Sequence, residues 1–512
     1  MRKLKGLPAS PGYAIGEAFI LKSGVVHLPQ EKGDKARQQI QWAKRRLKEE
    51  LEKEKEGEEG EIFFAHMLLL EDPEIWERVD AKLSEGATLG EALESTKQEL
   101  VDLFNSLEDE RFRSRADDIK DIFNRLLEIL MGRDRDIPQG AIIVGEEILP
   151  SHIVSYEKWR PRAYISEGGS TFAHSSIIAR AKGIPMVIAC KGITNILRNG
   201  ERLIVDGVRG DVIVNPSEKV LALYEERMRL AKEEEEEAFS KRHLQAITRS
   251  GLRVKVFANV GNLEEVEEAR EMGAEGIGIF RTEFLLLEED KALNKEEHLR
   301  IYEETAKIFY PLPVHIRLYD IGADKPIPFL DLPPEPNPAL GLRGIRLLLE
   351  KREILLPQLM AVKEAHKKYP NISLILPMVS FPWEVEEIRR LAGDLPVGVM
   401  IETPASALIV SKMTQIADFL SIGTNDLLQY TLAVDRAGKD VGKLYDPSHP
   451  ALWKLIGMVL RGANRKGKEA GICGEIAGER EFIPRLVNMG ARHLSVSPRF
   501  IPLVKHLIRS LP

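Results

Sequence analysis

From Gly251 onward the chain keeps one strict rhythm. Short apolar stretches fall near residues 253–259, 275–280, 314–320, 372–378, 396–401, 417–422, 468–473 and 492–496, and a helical pattern follows each one. A strand repeats every two residues and a helix every 3.6, so alternation of the two periods assigns each stretch to one kind of element. Strands separated by helices pair in parallel. Eight such pairs within the 262 residues from Gly251 match the size and order of a (β/α)8 barrel, typically about 250 residues. In such barrels the chemistry sits at the C-terminal ends of the strands.

Those ends carry polar residues. Asn259 follows the first stretch, Arg281 the second, and Arg317 and Asp320 the third. Glu402 follows the stretch at 396–401, Asn425 and Asp426 the one at 417–422, and Cys473 and Glu475 the one at 468–473. Mg²⁺ takes one or two protein carboxylates together with substrate oxygens, and Glu402 and Asp426 end adjacent strands. Arg281, Arg317 and Arg436 supply planar forks suited to carboxylate and phosphate. Taken together they describe a site for a small polyanion bearing both groups; taken singly, each arginine also reads as a surface ion pair. Cys473 stands between Gly471-Ile472 and Gly474-Glu475, and its position allows either a small core side chain or a proton-transfer role. Cys190 reads as packing.

The first half has a different texture. Residues 1–25 read as two short strands around Pro8-Ala9-Ser10-Pro11-Gly12. Helical patterns near 32–56, 62–84, 88–106 and 115–132 suggest a small bundle. Beyond Pro138, short apolar runs such as Ala141-Ile142-Ile143-Val144 and Leu203-Ile204-Val205 return. The expected fold is therefore multidomain α/β: an α/β domain of residues 1–25 and 134–215, a helical insert at 26–133, a linker helix within 216–250, and the barrel at 251–512. The charged run Glu233–Glu237 lies in that linker and fits a solvated helix or an interaction tail. The 80 acidic residues against 73 basic ones leave a net charge of −7, which argues against a nucleic-acid surface. Two cysteines make no disulfide framework. No apolar run of about 18 residues and no signal-like start is found, so a cytoplasmic protein without a membrane span is expected.

A second centre lies in Gly168-Gly169-Ser170-Thr171-Phe172-Ala173-His174-Ser175-Ser176. Glycines and hydroxyls lead into a helix whose first turn carries His174. Free N–H groups and the positive dipole end there favour an anion held on that histidine.

With these residues assembled, the chain resembles the phosphoenolpyruvate–protein phosphotransferases, enzyme I of the bacterial sugar phosphotransferase system. It shares pieces with pyruvate phosphate dikinases and phosphoenolpyruvate synthases. The stretches that carry the resemblance are Gly276-Ile277-Gly278-Ile279-Phe280-Arg281-Thr282-Glu283-Phe284, Asp320-Ile321-Gly322-Ala323-Asp324-Lys325, Asn337-Pro338-Ala339-Leu340-Gly341-Leu342-Arg343-Gly344 and Ser421-Ile422-Gly423-Thr424-Asn425-Asp426. The resemblance implies that His174 is phosphorylated, that Arg281 and Arg317 grip the phosphate, and that Asn425, Asp426 and Arg436 complete the phosphoenolpyruvate site. It implies Mg²⁺ on Glu402 and Asp426, and Cys473 as proton donor. It further implies a histidine-containing phosphocarrier docked on the helical insert, and a homodimer made through the barrel.

Two features depart from the family pattern. The segment Thr171-Phe172-Ala173-His174 is one residue longer before the histidine, and the chain ends just after the eighth barrel helix, without the family's helical tail. Three other readings differ in class. An ATP-using dikinase needs a nucleotide-grasp domain that residues 1–250 leave no room for. A phosphocarrier or regulatory homologue would have lost the phosphoenolpyruvate chemistry. The same chemistry could also serve another acceptor, docked on the apolar stretch Phe64-Ala65-His66-Met67-Leu68, which reads equally as bundle core.

Overall fold

Residues 2–21 supply three strands rather than two: β1 (Arg2–Lys5), β2 (Leu7–Ser10) and β3 (Tyr13–Leu21). Gly6 divides the first pair because a Cβ there would fall 2.4 Å from the Ile188 carbonyl oxygen. The structure, a computed structural model, describes residues 1–21, 28–54, 60–106, 110–131, 137–169, 174–287, 293–322, 330, 335, 337–436 and 441–512. The chain forms two compact units. One comprises Met1–Ala231 with Arg436–Lys443, the other Lys232–Asp435 with Leu444–Pro512.

In the first unit, β3 is joined by β4 (Ile142–Gly145), β5 (Ala163–Ser166), β6 (Met186–Ile188), β7 (Arg202–Asp206) and β8 (Asp211–Val214). The sheet runs β1-β8-β7-β3-β4-β5-β6-β2, with β3 through β6 parallel and the β7–β8 hairpin antiparallel. Between β3 and β4 lie helices over Gly33–Glu54, Gly60–Glu71, Pro73–Ser84, Leu89–Ser106 and Glu110–Leu130. The pattern expected as one helix over 62–84 is two. Pro73 has no N–H to continue the first helix, and Asp72 caps the second by accepting the Glu74 N–H at 2.9 Å. Leu47, Leu51, Leu70 and Phe123 are buried in an apolar cluster that continues onto Tyr164 and Ile178, so the helices share a core with the sheet.

The charged helix runs Glu218–Ser240, shorter than the expected span of 216–250. Its opening turns bury Leu221 and Tyr224 against Ile15, Ile204 and Ile213, and the Tyr224 hydroxyl donates to Asp206 at 2.9 Å. No helix among the described residues is long and apolar enough to cross a membrane.

The second unit is the barrel read from the alternation. Its strands are β9 (Lys255–Val260), β10 (Ile277–Phe280), β11 (Val314–Arg317), β12 (Ile372–Leu376), β13 (Val397–Ile401), β14 (Leu420–Ile422), β15 (Ala470–Ile472) and β16 (His493–Val496). All pair in parallel, and β16 closes on β9 with His493–Val496 opposite Lys255–Ala258. Ile279, Ile375, Met400 and Cys473 fill the interior below the strands' C-terminal ends. That apolar cluster makes the barrel interior a packed core rather than a pore.

Candidate active site

Arg317 ends β11 and is only 7% exposed. Its Nη2 pairs with Glu283, and its Nη1 lies 3.6 Å from Asp320 Oδ2. Burial opposes the charge on Arg317, but Glu283, Asp320, Glu402 and Asp426 more than offset that and raise its pKa. Arg343, which lies in the Asn337–Gly344 stretch, sits at the centre of the same cluster. Its Nε and Nη2 donate to Asp320 at 3.0 Å each, its Nη2 lies 3.2 Å from Asp426 Oδ1, and its Nη1 donates to the Tyr430 hydroxyl at 3.3 Å. Two buried guanidiniums thus face four buried carboxylates, Glu283, Asp320, Glu402 and Asp426.

That excess of negative charge acts on Glu402. Burial comes first, then the neighbouring Asp426 and Asp320, and together they push its pKa up to about 8. Its Oε1 accepts the Met378 N–H at 2.5 Å. Met378 has φ of 57°, a left-handed backbone that is uncommon outside glycine, and it donates that N–H to the carboxylate. The other oxygen, Oε2, lies against Gly423, where an added Cβ would come within 2.7 Å of it. Converging carboxylates, one oxygen of which is left open by a glycine, are the donor set a hard divalent cation takes. Glu402 and Asp426 therefore fit such an ion.

Arg281 follows β10, anchored by its N–H to the Val260 carbonyl at 2.7 Å. It is half-buried, and its guanidinium makes no ion pair among the described residues. Asn425 opens the helix Thr424–Leu432; its Oδ1 accepts the Glu475 N–H at 3.1 Å and its Nδ2 donates to Glu475 Oε1 at 3.2 Å. Cys473 is 7% exposed, and its N–H donates to the Ile422 carbonyl at 3.0 Å, with Sγ 3.2 Å from the same oxygen. Burial pushes its thiol up to about 12, so the sulfur is protonated at neutral pH. Asn259 lies inside β9 rather than beyond it. Its side chain bridges strands instead of facing a ligand, donating to the Cys473 and Ser495 carbonyls at 3.3 and 3.1 Å.

In the first unit, His174 begins the helix His174–Ala181 in the crossover from β5 to β6. Arg180 ties that helix to β2 by donating from Nε and Nη2 to the Ala9 carbonyl at 3.2 and 3.0 Å. The longer segment Thr171–Ala173 lies outside the described residues, as do Asp324 and Lys325. Cys190 is buried among Val187, Ile193 and Leu203 as packing. Arg436 belongs to the segment Arg436–Lys443, which groups with the first compact unit. The structure gathers Arg317, Glu402 and Asp426, and adds Glu283, Asp320, Arg343 and Met378. Periodicity could not have found Arg343, since it lies in a loop between strands.

Family models match the chain in three stretches. Residues 234–512 match the family model for the PEP-utilising enzyme, PEP-binding domain; residues 5–115 match its N-terminal domain and residues 137–210 its mobile domain. The chain is 33% identical over 542 residues to the phosphoenolpyruvate-protein phosphotransferase of Staphylococcus carnosus, covering all of this chain and 94% of that protein. It is 34% identical over 527 residues to the Bacillus subtilis protein of the same name, covering 97% of this chain and 92% of that one. A buried cluster of arginines and carboxylates at the mouth of a barrel, a histidine at a helix start and likeness to these relatives over the whole chain converge on one conclusion: the chain belongs to the family of PEP-utilising enzymes.

Proposed function

We propose that the chain is a phosphoenolpyruvate–protein phosphotransferase. It moves the phosphoryl group of phosphoenolpyruvate onto its own His174 and then to a histidine-containing phosphocarrier protein, releasing pyruvate, for sugar uptake. The observation that carries this reading is the buried array of Arg317 and Arg343 against Glu283, Asp320, Glu402 and Asp426 at the barrel mouth. In this reading the barrel binds phosphoenolpyruvate, the β3–β8 domain carries the histidine, the helical insert docks the carrier, and the barrel pairs two copies of the chain.

Glu402 and Asp426 would hold Mg²⁺, which would supply charge neutralisation to the substrate. Arg281 and Arg317 grip the phosphoryl oxygens, while Asn425 and Arg436 orient the carboxylate end. His174 attacks the phosphorus in line; the N–P bond forms as the bond from phosphorus to the enol oxygen breaks. The departing enolate takes the proton of Cys473 at its methylene carbon and becomes pyruvate. A protonated, water-shielded thiol suits that step.

The test is incubation with phosphoenolpyruvate labelled in its phosphate, with and without Mg²⁺. The expected product is an acid-labile, base-stable label that peptide mapping assigns to His174, absent from His174→Ala. Label on Ser175, Ser176 or Thr171 would sink the assignment. Label arising only with ATP would return the chain to the dikinase reading.

A further inference from the structure

Behind the barrel mouth lies a second, fully buried polar network that none of the roles above uses. His298 and Tyr302 on the helix Lys295–Phe309, Gln358 on the helix Arg352–Lys368, Thr282 after β10 and Tyr319 after β11 are each at most 1% exposed. Gln358 Nε2 donates to the Tyr302 hydroxyl at 3.2 Å and to the Thr282 hydroxyl at 2.8 Å, while its Oε1 accepts the Tyr319 N–H at 3.2 Å. Thr282 in turn donates its hydroxyl to the Arg317 carbonyl at 2.8 Å. His298 joins the two tyrosines, with Nδ1 3.0 Å from the Tyr302 oxygen and Nε2 2.8 Å from the Tyr319 oxygen.

A neutral imidazole has one donor and one acceptor nitrogen, so His298 donates to one tyrosine oxygen and accepts the hydroxyl proton of the other. Both ring nitrogens are thereby engaged, and the ring is fixed in place between the two hydroxyls. The network fastens two short segments from behind: Arg281-Thr282-Glu283 and Arg317-Leu318-Tyr319-Asp320. Within them Thr282 and Tyr319 join the network, while their neighbours Glu283, Arg317 and Asp320 join the charged cluster at the mouth. Arg281, Arg317 and Asp320 therefore take their spacing from Thr282, Tyr319 and the side chains that hold them.

We propose that His298, Tyr302 and Gln358 are positioning residues for the phosphate grip, acting through Thr282 and Tyr319 on the separation of Arg281 from Arg317. This inference rests on the functional reading above, since it supposes that those two arginines hold the phosphoryl group. A cluster that merely stabilised the barrel would lower the amount of folded enzyme and leave the KM for phosphoenolpyruvate unchanged. A positioning cluster changes both constants, because binding and in-line geometry depend on the same two guanidiniums.

The experiment compares Tyr319→Phe, His298→Leu, Gln358→Met and His298→Gln in the full chain. It measures kcat and KM for phosphorylation of His174 on protein shown to be folded by circular dichroism. Tyr319→Phe, His298→Leu and Gln358→Met are expected to raise KM and to lower kcat/KM by about 10- to 100-fold, the scale of a misplaced reacting group. His298→Gln offers one acceptor and one donor along the same line and is expected to recover kcat/KM to within about threefold of wild type. Should His298→Leu fail to fold, Tyr319→Phe, which deletes one hydroxyl, decides the matter. Folded Tyr319→Phe with both constants within about twofold of wild type would overturn the inference, as would a loss in His298→Gln equal to that in Gln358→Met. A wild-type chain that takes no phosphate from phosphoenolpyruvate would instead overturn the functional reading.

Discussion

Arg343, on the loop between β11 and β12, reaches across the barrel mouth to Asp426 beyond β14, with Nη2 3.2 Å from Oδ1. The same guanidinium holds both oxygens of Asp320, so one side chain joins two strand ends that are not neighbours in the sheet. Asp426 Oδ1 is buried without an aligned hydrogen bond, which makes this contact an ion pair by distance and charge rather than a directed bond. Oδ1 keeps capacity for another positive partner.

Removing Arg343 leaves Asp320 and Asp426 buried with less compensation. Deleting one member of a buried ion pair typically costs about 3–5 kcal/mol. Arg343→Met is expected to lose stability on that scale in urea unfolding of the full chain. Arg343→Lys keeps the charge but cannot engage both oxygens of Asp320 and the Tyr430 hydroxyl together, so it falls between. A loss under about 1 kcal/mol in Arg343→Met would mean that the carboxylates find other partners.

Glu402 and Asp426 face a different test. Each single change, Glu402→Ala or Asp426→Ala, is expected to lower phosphorylation of His174 by at least about 100-fold, as when one electrostatic stabiliser of a transition state is deleted. Chelation of divalent ions should abolish the reaction in wild type, and added Mg²⁺ should restore it. Near-normal Mg²⁺-dependent turnover in Asp426→Ala would remove that residue from the ion.

The barrel was legible because its rhythm is local: each strand and helix declares itself within about ten residues, and the order of elements then leaves one closed arrangement. The polar strand ends followed from the same register, which is why Arg317, Glu402 and Asp426 were found together. Arg343, by contrast, approaches Asp320 and Asp426 through a loop, and loops have no period to read. The His298 network was hidden for another reason. His298, Tyr302 and Gln358 sit on apolar helix faces where a histidine, a tyrosine and a glutamine look like ordinary core, and only their mutual distances reveal that they are joined to each other and to Tyr319. Asp72-Pro73 is the opposite case, a break plainly written in the sequence and read through as one helix.

The His298 network also predicts a pH dependence of stability. Burial lowers the His298 pKa to about 4, with Glu297 opposing weakly. In the unfolded chain an imidazole titrates near about 6.5. Between those values the unfolded chain takes up a proton that the folded chain refuses, so the stability contribution is complete above about pH 6.5 and is lost as pH falls toward 4. The full effect is about 3 kcal/mol. Other buried histidines, His315 among them, add to the total slope, so the measurement is the difference in urea midpoint between wild type and His298→Gln at pH 7 and pH 4.5. The variant is expected to lose less on acidification than wild type. Equal losses would mean that His298 is solvated or charged in the folded protein.

Cys473 separates a chemical role from a packing role most sharply. It lies in the apolar plug with Ile279, Ile375 and Met400, and burial holds its thiol protonated, pushed up to about 12. A side chain there for packing alone would cost on the order of 1 kcal/mol when cut to alanine and leave the reaction untouched. As proton donor it governs the fate of the enolate rather than transfer of the phosphoryl group. Cys473→Ala should therefore still label His174 from phosphoenolpyruvate, while overall turnover falls by about 100-fold, the usual contribution of a positioned general acid. Protonation would pass to water, which can approach either face of the enolate. With a phosphoenolpyruvate analogue substituted at the methylene carbon, in deuterated water, wild type is expected to deliver deuterium to one face and Cys473→Ala to both. A single stereoisomer from the mutant would assign the proton to another group and leave Cys473 to the core.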